Sequence, residues 1–157
     1  MEVFNAGDVT IKSNLEEVKN AAEIDILAWL QAIGEDAAET AASKAPVDTS
    51  RLKNSISWAT PVMSGGGSTP LATPEKNSVY IGTNVKNEQG KNYAIYHEFG
   101  TGKYTEGGRQ TPWAYKDKDG NWHYTHGVPA KHFLKFGITA HKSEYKKALE
   151  MFLKGEK

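Results

Sequence analysis

The chain has 157 residues, and its 19 lysines and arginines balance 19 aspartates and glutamates, leaving no formal net charge at neutral pH. That balance excludes a free-standing polybasic nucleic-acid binder or a membrane-surface patch, and the absence of cysteine excludes disulfides, thiol nucleophiles, zinc fingers and iron–sulfur clusters. With 38% hydrophobic and 24% charged residues the chain is expected to fold, as a single domain over residues 1–157 with enough length to bury its own core.

No run approaches the roughly 20 apolar residues of a membrane-spanning helix. Met1–Ser13 carries acids where a secretory leader would carry a basic segment, so the expectation is a soluble, cytoplasmic chain without membrane contact. Charge is nevertheless segregated. Residues 1–45 hold three basic and nine acidic residues, while residues 129–157 hold seven basic and three acidic ones. Such a chain can pair its own ends or meet a neighbouring copy head to tail.

Ser13-Asn14-Leu15-Glu16 fits a capping box and predicts a helix starting there. Leu15, Val18, Ala22, Ile26, Trp29, Ile33, Ala37 and Ala41 then recur at spacings of three and four until Pro46 ends the pattern. Such a helix is about 45 Å long, as long as a compact domain of this size is wide. Two readings follow. It lies across a sheet as a core helix, or its small-residue half, Ala37–Ala45, packs on another subunit, with Gly34 marking where the halves diverge.

Beyond Pro46, Asp48 or Thr49 can cap a short helix through Arg51–Asn54, and Ile56–Ala59 alternates like a strand. Residues 61–78 contain three consecutive glycines between prolines, which predicts a mobile loop joining two strands. Its alternatives are a disposable hairpin tip and a segment ordered on assembly. Val79–Gly82 reads as the returning strand, and Tyr93–Phe99 resumes helical spacing with Gly100 at its C-terminal cap. Trp113–Tyr115 and Trp122–Tyr124 flank an Asp119-Gly120 turn and predict a β-hairpin. Ala130–Lys154 reads as mostly helical, with Gly137 as a break.

Several catalytic patterns fail on spacing. Gly100-Thr101-Gly102-Lys103 lacks the first glycine and the hydroxyl of a phosphate loop, since His97 and Tyr104 stand there. Asp117 and Asp119 suggest a calcium loop, but Tyr115 and His126 occupy its first and twelfth positions. His97-Glu98 has no second histidine at the zinc-protease interval, and no Gly-x-Ser-x-Gly elbow exists. His123, His126 and His132, with His97, are the remaining candidate metal ligands, and a metal-dependent hydrolase would need them to converge. Strand geometry turns residues three apart to opposite sides, so the expectation is no metal site.

Residues 93–124 hold eight of the 16 aromatics: Tyr93, Tyr96, Phe99, Tyr104, Trp113, Tyr115, Trp122 and Tyr124. Aromatics this dense serve a core, a protein interface, or a platform for sugars or nucleic acid.

Three blocks in order carry a resemblance. They are Ala45–Ile56 (A-P-V-D-T-S-R-L-K-N-S-I), Tyr93–Gly102 (Y-A-I-Y-H-E-F-G-T-G) and Ala130–Leu134 (A-K-H-F-L). Together they resemble the head-tail joining, or tail-completion, proteins of long-tailed bacteriophages and their prophages, whose usual segments are P-V-D-T-G-x-L-x-x-S-I, Y-A-x-x-x-E-F-G-T and P-F-L. Ser50 stands here for the glycine and His132 for the proline. Serine tolerates most turns but not a strained left-handed one, which leaves the turn at Ser50 open.

The resemblance implies an α+β fold: a long N-terminal helix packed on an antiparallel β-sheet, with a short middle helix, a β-hairpin and a C-terminal helix. It implies a non-enzymatic minor structural protein of the neck, without cofactor, completing the tail and joining it to the DNA-filled head as a ring. Its partners would be further copies of itself, tail-terminator or tail-tube proteins and head-connector proteins, with DNA in the lumen as a further candidate. Its place would be the virion, after assembly in the bacterial cytoplasm. The residues carrying this role would be Asp48, Thr49, Arg51, Tyr96, Glu98, Phe99, Gly100, Phe133 and Leu134, with Trp113 and Trp122 as interface anchors. Asp48 and Thr49 would cap the short helix and present Arg51 to a carboxylate, Glu98 being the one expected.

Overall fold

The computed structural model describes residues 2–6, 9–13, 15–46, 50–117 and 119–155, with side chains at Ala22 and from Asp25 onward. It has the α+β arrangement expected: a long N-terminal helix, antiparallel strands, a short middle helix and helices at the C-terminal end. A hairpin precedes the long helix. Strands β1 (Glu2–Ala6) and β2 (Val9–Ser13) pair antiparallel, with Glu2 opposite Ser13 and Ala6 opposite Val9. The sequence between them is Gly7-Asp8, a two-residue hairpin signal. Ser13, expected to cap the helix, is instead the last residue of β2, and helix α1 runs Leu15–Lys44.

Helix α1 buries Leu30, Ala37, Ala38 and Ala41 along one side, and Ala45 just past its end is also buried. The buried alanines of the alanine-rich half, Ala37 and Ala41, meet a helix of their own chain. They pack on α3 (Phe133–Thr139), at the point where Gly137 meets Ala37 and Ala41. A methyl group on Gly137 would stand 2.5 Å from the Ala37 carbonyl oxygen and 2.6 Å from the Ala41 methyl. Gly137 is therefore a contact point and not a break. The helical run divides at Ala140–His141, after which α4 spans Lys142–Lys154.

Gly34 does for the sheet what Gly137 does for α3. A methyl there would lie 2.9 Å from Val79 and 3.1 Å from the Trp58 Cβ, so glycine lets α1 sit directly on the sheet. That sheet has the order β4–β3–β5, all antiparallel: β3 is Ser57–Ala59, β4 Ser64–Gly66 and β5 Tyr80–Gly82. Strand β4 lies in the stretch expected to be a loop. Flexible in isolation, its glycines suit a crowded edge: a side chain on Gly65 would strike the Trp58 ring at 2.9 Å. Thr69 Oγ1 donates to the Ser55 carbonyl (2.6 Å), and Asn84 Nδ2 donates to the Pro70 carbonyl (2.6 Å), tying the following residues down.

Asp48 and Thr49 lie outside the described residues. The short helix expected after them is a single 3₁₀ turn at Lys53–Ser55, where the Asn54 amide donates to the Ser50 carbonyl (2.8 Å). Ser50 itself has φ of 54°, the left-handed conformation thought unsuited to serine. The core then gathers Leu52, Ile56, Trp58, Val85, Ala94 and Phe133 around the alanines of α1. Phe133 is fully buried, and such burial is worth about 2–3 kcal/mol.

Helix α2 spans Ala94–Phe99 and ends at Gly100 as expected, with φ of 78° and ψ of 175°, a conformation open to glycine but outside the left-handed helical cap. Strands β6 (Trp113–Lys116) and β7 (Trp122–Thr125) form the expected hairpin, with Trp113 opposite Thr125 and Lys116 opposite Trp122.

Candidate protein interface

The second and third sequence blocks meet through Glu98. This residue, only 5% exposed, sits on the last turn of α2 with its carboxylate across the start of α3. Its Oε2 accepts the Leu134 amide (2.9 Å) and its Oε1 the Lys135 amide (3.1 Å). Two donors that open a helix without partners are thus satisfied by one buried side chain, from 36 and 37 positions away in sequence. The backbone repeats the join: the Lys131 amide donates to the His97 carbonyl (2.7 Å) and the His132 amide to the Glu98 carbonyl (3.2 Å). Arg51 is not the partner of Glu98. Among the described residues no ion pair joins them, and Arg51 lies exposed in a polar groove with Glu88, Tyr93 and Asp117.

Gly100 belongs to the same junction. A side chain there would stand 2.9 Å from the Ala130 nitrogen and 3.0 Å from the Val128 oxygen, while Thr101 exchanges bonds with Val128 through its amide and hydroxyl (2.8 and 2.9 Å). His132, the residue in place of proline, has φ of 48°. Proline's ring holds φ near −65° and carries no N–H, so this backbone departs from one built on proline. Phe133 fills the core and Leu134 packs at its margin.

The histidines do not converge. His123 Nε2 pairs with Asp117 Oδ2 at 2.7 Å in the hairpin turn, and its ring stacks on Tyr115. Asp117 also accepts the Asp119 and Asn121 amides; the His123 hydrogen bond, followed by these backbone donors, pulls its pKa down to about 2. His126 contributes its carbonyl to the Lys103 amide. Among the described residues no group of three or more His, Asp or Glu is placed to hold a metal ion.

The aromatic residues divide by environment. Trp113 is half-buried, with its ring against Gly102 and beneath the Arg109 guanidinium. Across the hairpin, Trp122 and Tyr124 are 64% and 80% exposed, and the Lys116 ammonium lies over the Trp122 ring. On α2, Tyr96 and Phe99 are exposed, and Phe99 and Ile95 border an apolar groove of about 560 Å³ with Leu134 and Ile138. Soluble surfaces seldom carry this many exposed aromatics unless a partner covers them.

An α+β scaffold that carries exposed aromatics on α2 and on the hairpin is suited to assembly, and its family makes it a bacteriophage tail component, with a place in the virion among other phage proteins. The chain belongs to the HK97-gp10-like family, described as "Bacteriophage HK97-gp10, putative tail-component", whose model matches residues 10–100. That span covers α1, the three-stranded sheet and α2, and stops before the hairpin and the C-terminal helices. No curated protein and no solved structure matches the chain. No helix among the described residues is long and apolar enough to cross a membrane.

Proposed function

We propose that this tail component acts at the neck, completing the tail and joining it to the DNA-filled head as a ring, without catalysis. The observation that carries the reading is the pairing of family membership with exposed aromatic side chains: Phe99 at 61% exposure on α2, and Trp122 and Tyr124 on the hairpin. Its partners are further copies of itself and the tail-tube or terminator and head-connector proteins on either side. Tyr96, Phe99 and Trp122 face those partners, whereas Glu98, Gly100, Phe133 and Leu134 hold the surface in place.

Electron microscopy of a lysate from the parent phage with this gene disrupted tests the role. Filled heads beside separate tails, made into whole virions by adding purified protein, is the expected result. Normal virions without the protein would overturn it.

A further inference from the structure

A basic pocket of about 450 Å³ lies beside α3, lined by Lys44, Lys131, His132, Lys135, Phe136 and Thr139. Lys44, Lys131 and Lys135 are exposed, and among the described residues none of them makes an ion pair. The Glu98 carboxylate, which meets the start of α3, is buried with both oxygens on the α3 amides. The floor of the pocket is apolar: Phe136 is partly exposed, with the Lys44 ammonium 5.0 Å from its ring centre.

Helix α1 carries the opposite charge on its far side. Asp25, Ala28, Ala32, Glu35 and Glu39 recur at spacings of three and four, and all five are exposed. They form one stripe about 21 Å long, at 1.5 Å per residue, that holds only carboxylates and small side chains. Among the described residues these three acids make no ion pair; Glu35 accepts only the Gln31 side-chain amide, 3.1 Å away. The stripe faces away from Ala37 and Ala41, which are buried against α3. A helix about 10 Å thick therefore stands between the stripe and the pocket of the same chain.

We infer that the pocket takes the acidic α1 stripe of a second copy. Glu35 and Glu39, one helical turn apart, meet Lys131 and Lys135, and Ala28 and Ala32 let the helix approach the apolar floor. Charge complementarity selects this occupant. The two patches differ and lie on opposite sides of the chain, so the contact is heterologous and propagates head to tail, as closing a ring requires. This inference rests on the ring reading above and names the surfaces that build it.

The test uses two charge-reversed proteins, Glu35→Lys with Glu39→Lys, and Lys131→Glu with Lys135→Glu, examined by sedimentation velocity at low and high salt. The wild type is expected to assemble at low salt and dissociate as salt rises. Each variant alone is expected to stay monomeric, and an equimolar mixture to assemble again, because reversed stripe then meets reversed pocket. Assembly that survives both reversals would overturn this contact and leave the ring standing. A wild type monomeric at every concentration would overturn both. Loss of binding to a short DNA duplex by the Lys131 and Lys135 variant, with assembly unchanged, would make the pocket a phosphate site and overturn the inference. If circular dichroism shows either variant unfolded, Glu39→Cys and Lys135→Cys proteins are mixed under oxidation. The chain has no cysteine of its own, so a mixed disulfide in excess of either homodimer supports the contact and its absence overturns it.

Discussion

Ser50 and His132 hold left-handed backbone, with φ of 54° and 48°, at the two places where the chain departs from the phage joining pattern. A residue with a Cβ in that conformation costs about 1–2 kcal/mol, and glycine removes the clash while adding some freedom to the unfolded chain. Ser50→Gly is therefore expected to stabilise by up to about 1 kcal/mol, raising the melting temperature by about 2–4 °C in a chain of this size. Glu98 illustrates the opposite case, a side chain whose loss is felt twice. Glu98→Ala leaves the Leu134 and Lys135 amides without their acceptor in a part-buried junction, at about 1–3 kcal/mol. Glu98→Gln keeps one acceptor oxygen, and its urea midpoint is expected to fall between those of wild type and alanine.

Close approach between elements depends on glycine in helices where alanine would otherwise be preferred. Gly137→Ala gains about 1 kcal/mol in helix propensity, yet its methyl would collide with the Ala37 carbonyl and the Ala41 side chain. Overpacking of this kind costs about 1–3 kcal/mol, so the variant is expected to unfold at lower urea. Beyond that crossing, α4 has no buried residue, and a polar cluster ties its start to α1. Asp36 Oδ2 accepts from His141 Nδ1, at 2.6 Å, and from the Tyr145 hydroxyl. The Tyr145 hydrogen bond, then that of His141, lowers the Asp36 pKa below its ordinary 3.8, and the Asp36 bond raises that of His141 above 6.5.

These opposite shifts set a window. Stability from Asp36 is complete above pH 3.8 and lost as pH falls through its lowered value; stability from His141 is complete below pH 6.5 and lost as pH rises through its raised value. The urea midpoint is therefore expected to be highest between these limits, and Asp36→Asn to flatten the alkaline decline. The acid decline persists in that variant, because Asp117, with its pKa near 2, contributes its own loss there.

At the scale of the whole molecule, the two tryptophans of the hairpin occupy different environments. Trp122 is mostly exposed, while Trp113 packs on Gly102 and Arg109. Trp122→Ala is expected to change monomer stability by less than about 0.5 kcal/mol and to abolish restoration of virions in a complementation assay. Trp113→Ala is expected to lower stability itself. Equal destabilisation by both would remove Trp122 from the interface.

The sequence by itself determined the elements whose signals are local. Periodicity gave α1 and α2, alternation gave β3 and the aromatic hairpin, Asp119-Gly120 gave its turn, and the three ordered blocks gave the phage kinship. The elements and the turn rest on neighbours within a few positions, where propensity and turn chemistry act, and the kinship rests on the order of the blocks along the chain. What only the tertiary structure decided depends on contacts between distant residues. Glu98 reads as an ion-pair partner until α3 is seen across it, and the alanine stripe reads as an intersubunit surface until Gly137 fills it. The glycines of residues 65–67 read as slack until the Trp58 ring lies against Gly65 and Gly66 and the Asn54–Ile56 backbone against Gly67. A side chain's neighbours along the chain state its own preferences, but burial and the partner it meets belong to the packing, and both the core junction and the exposed face were set there.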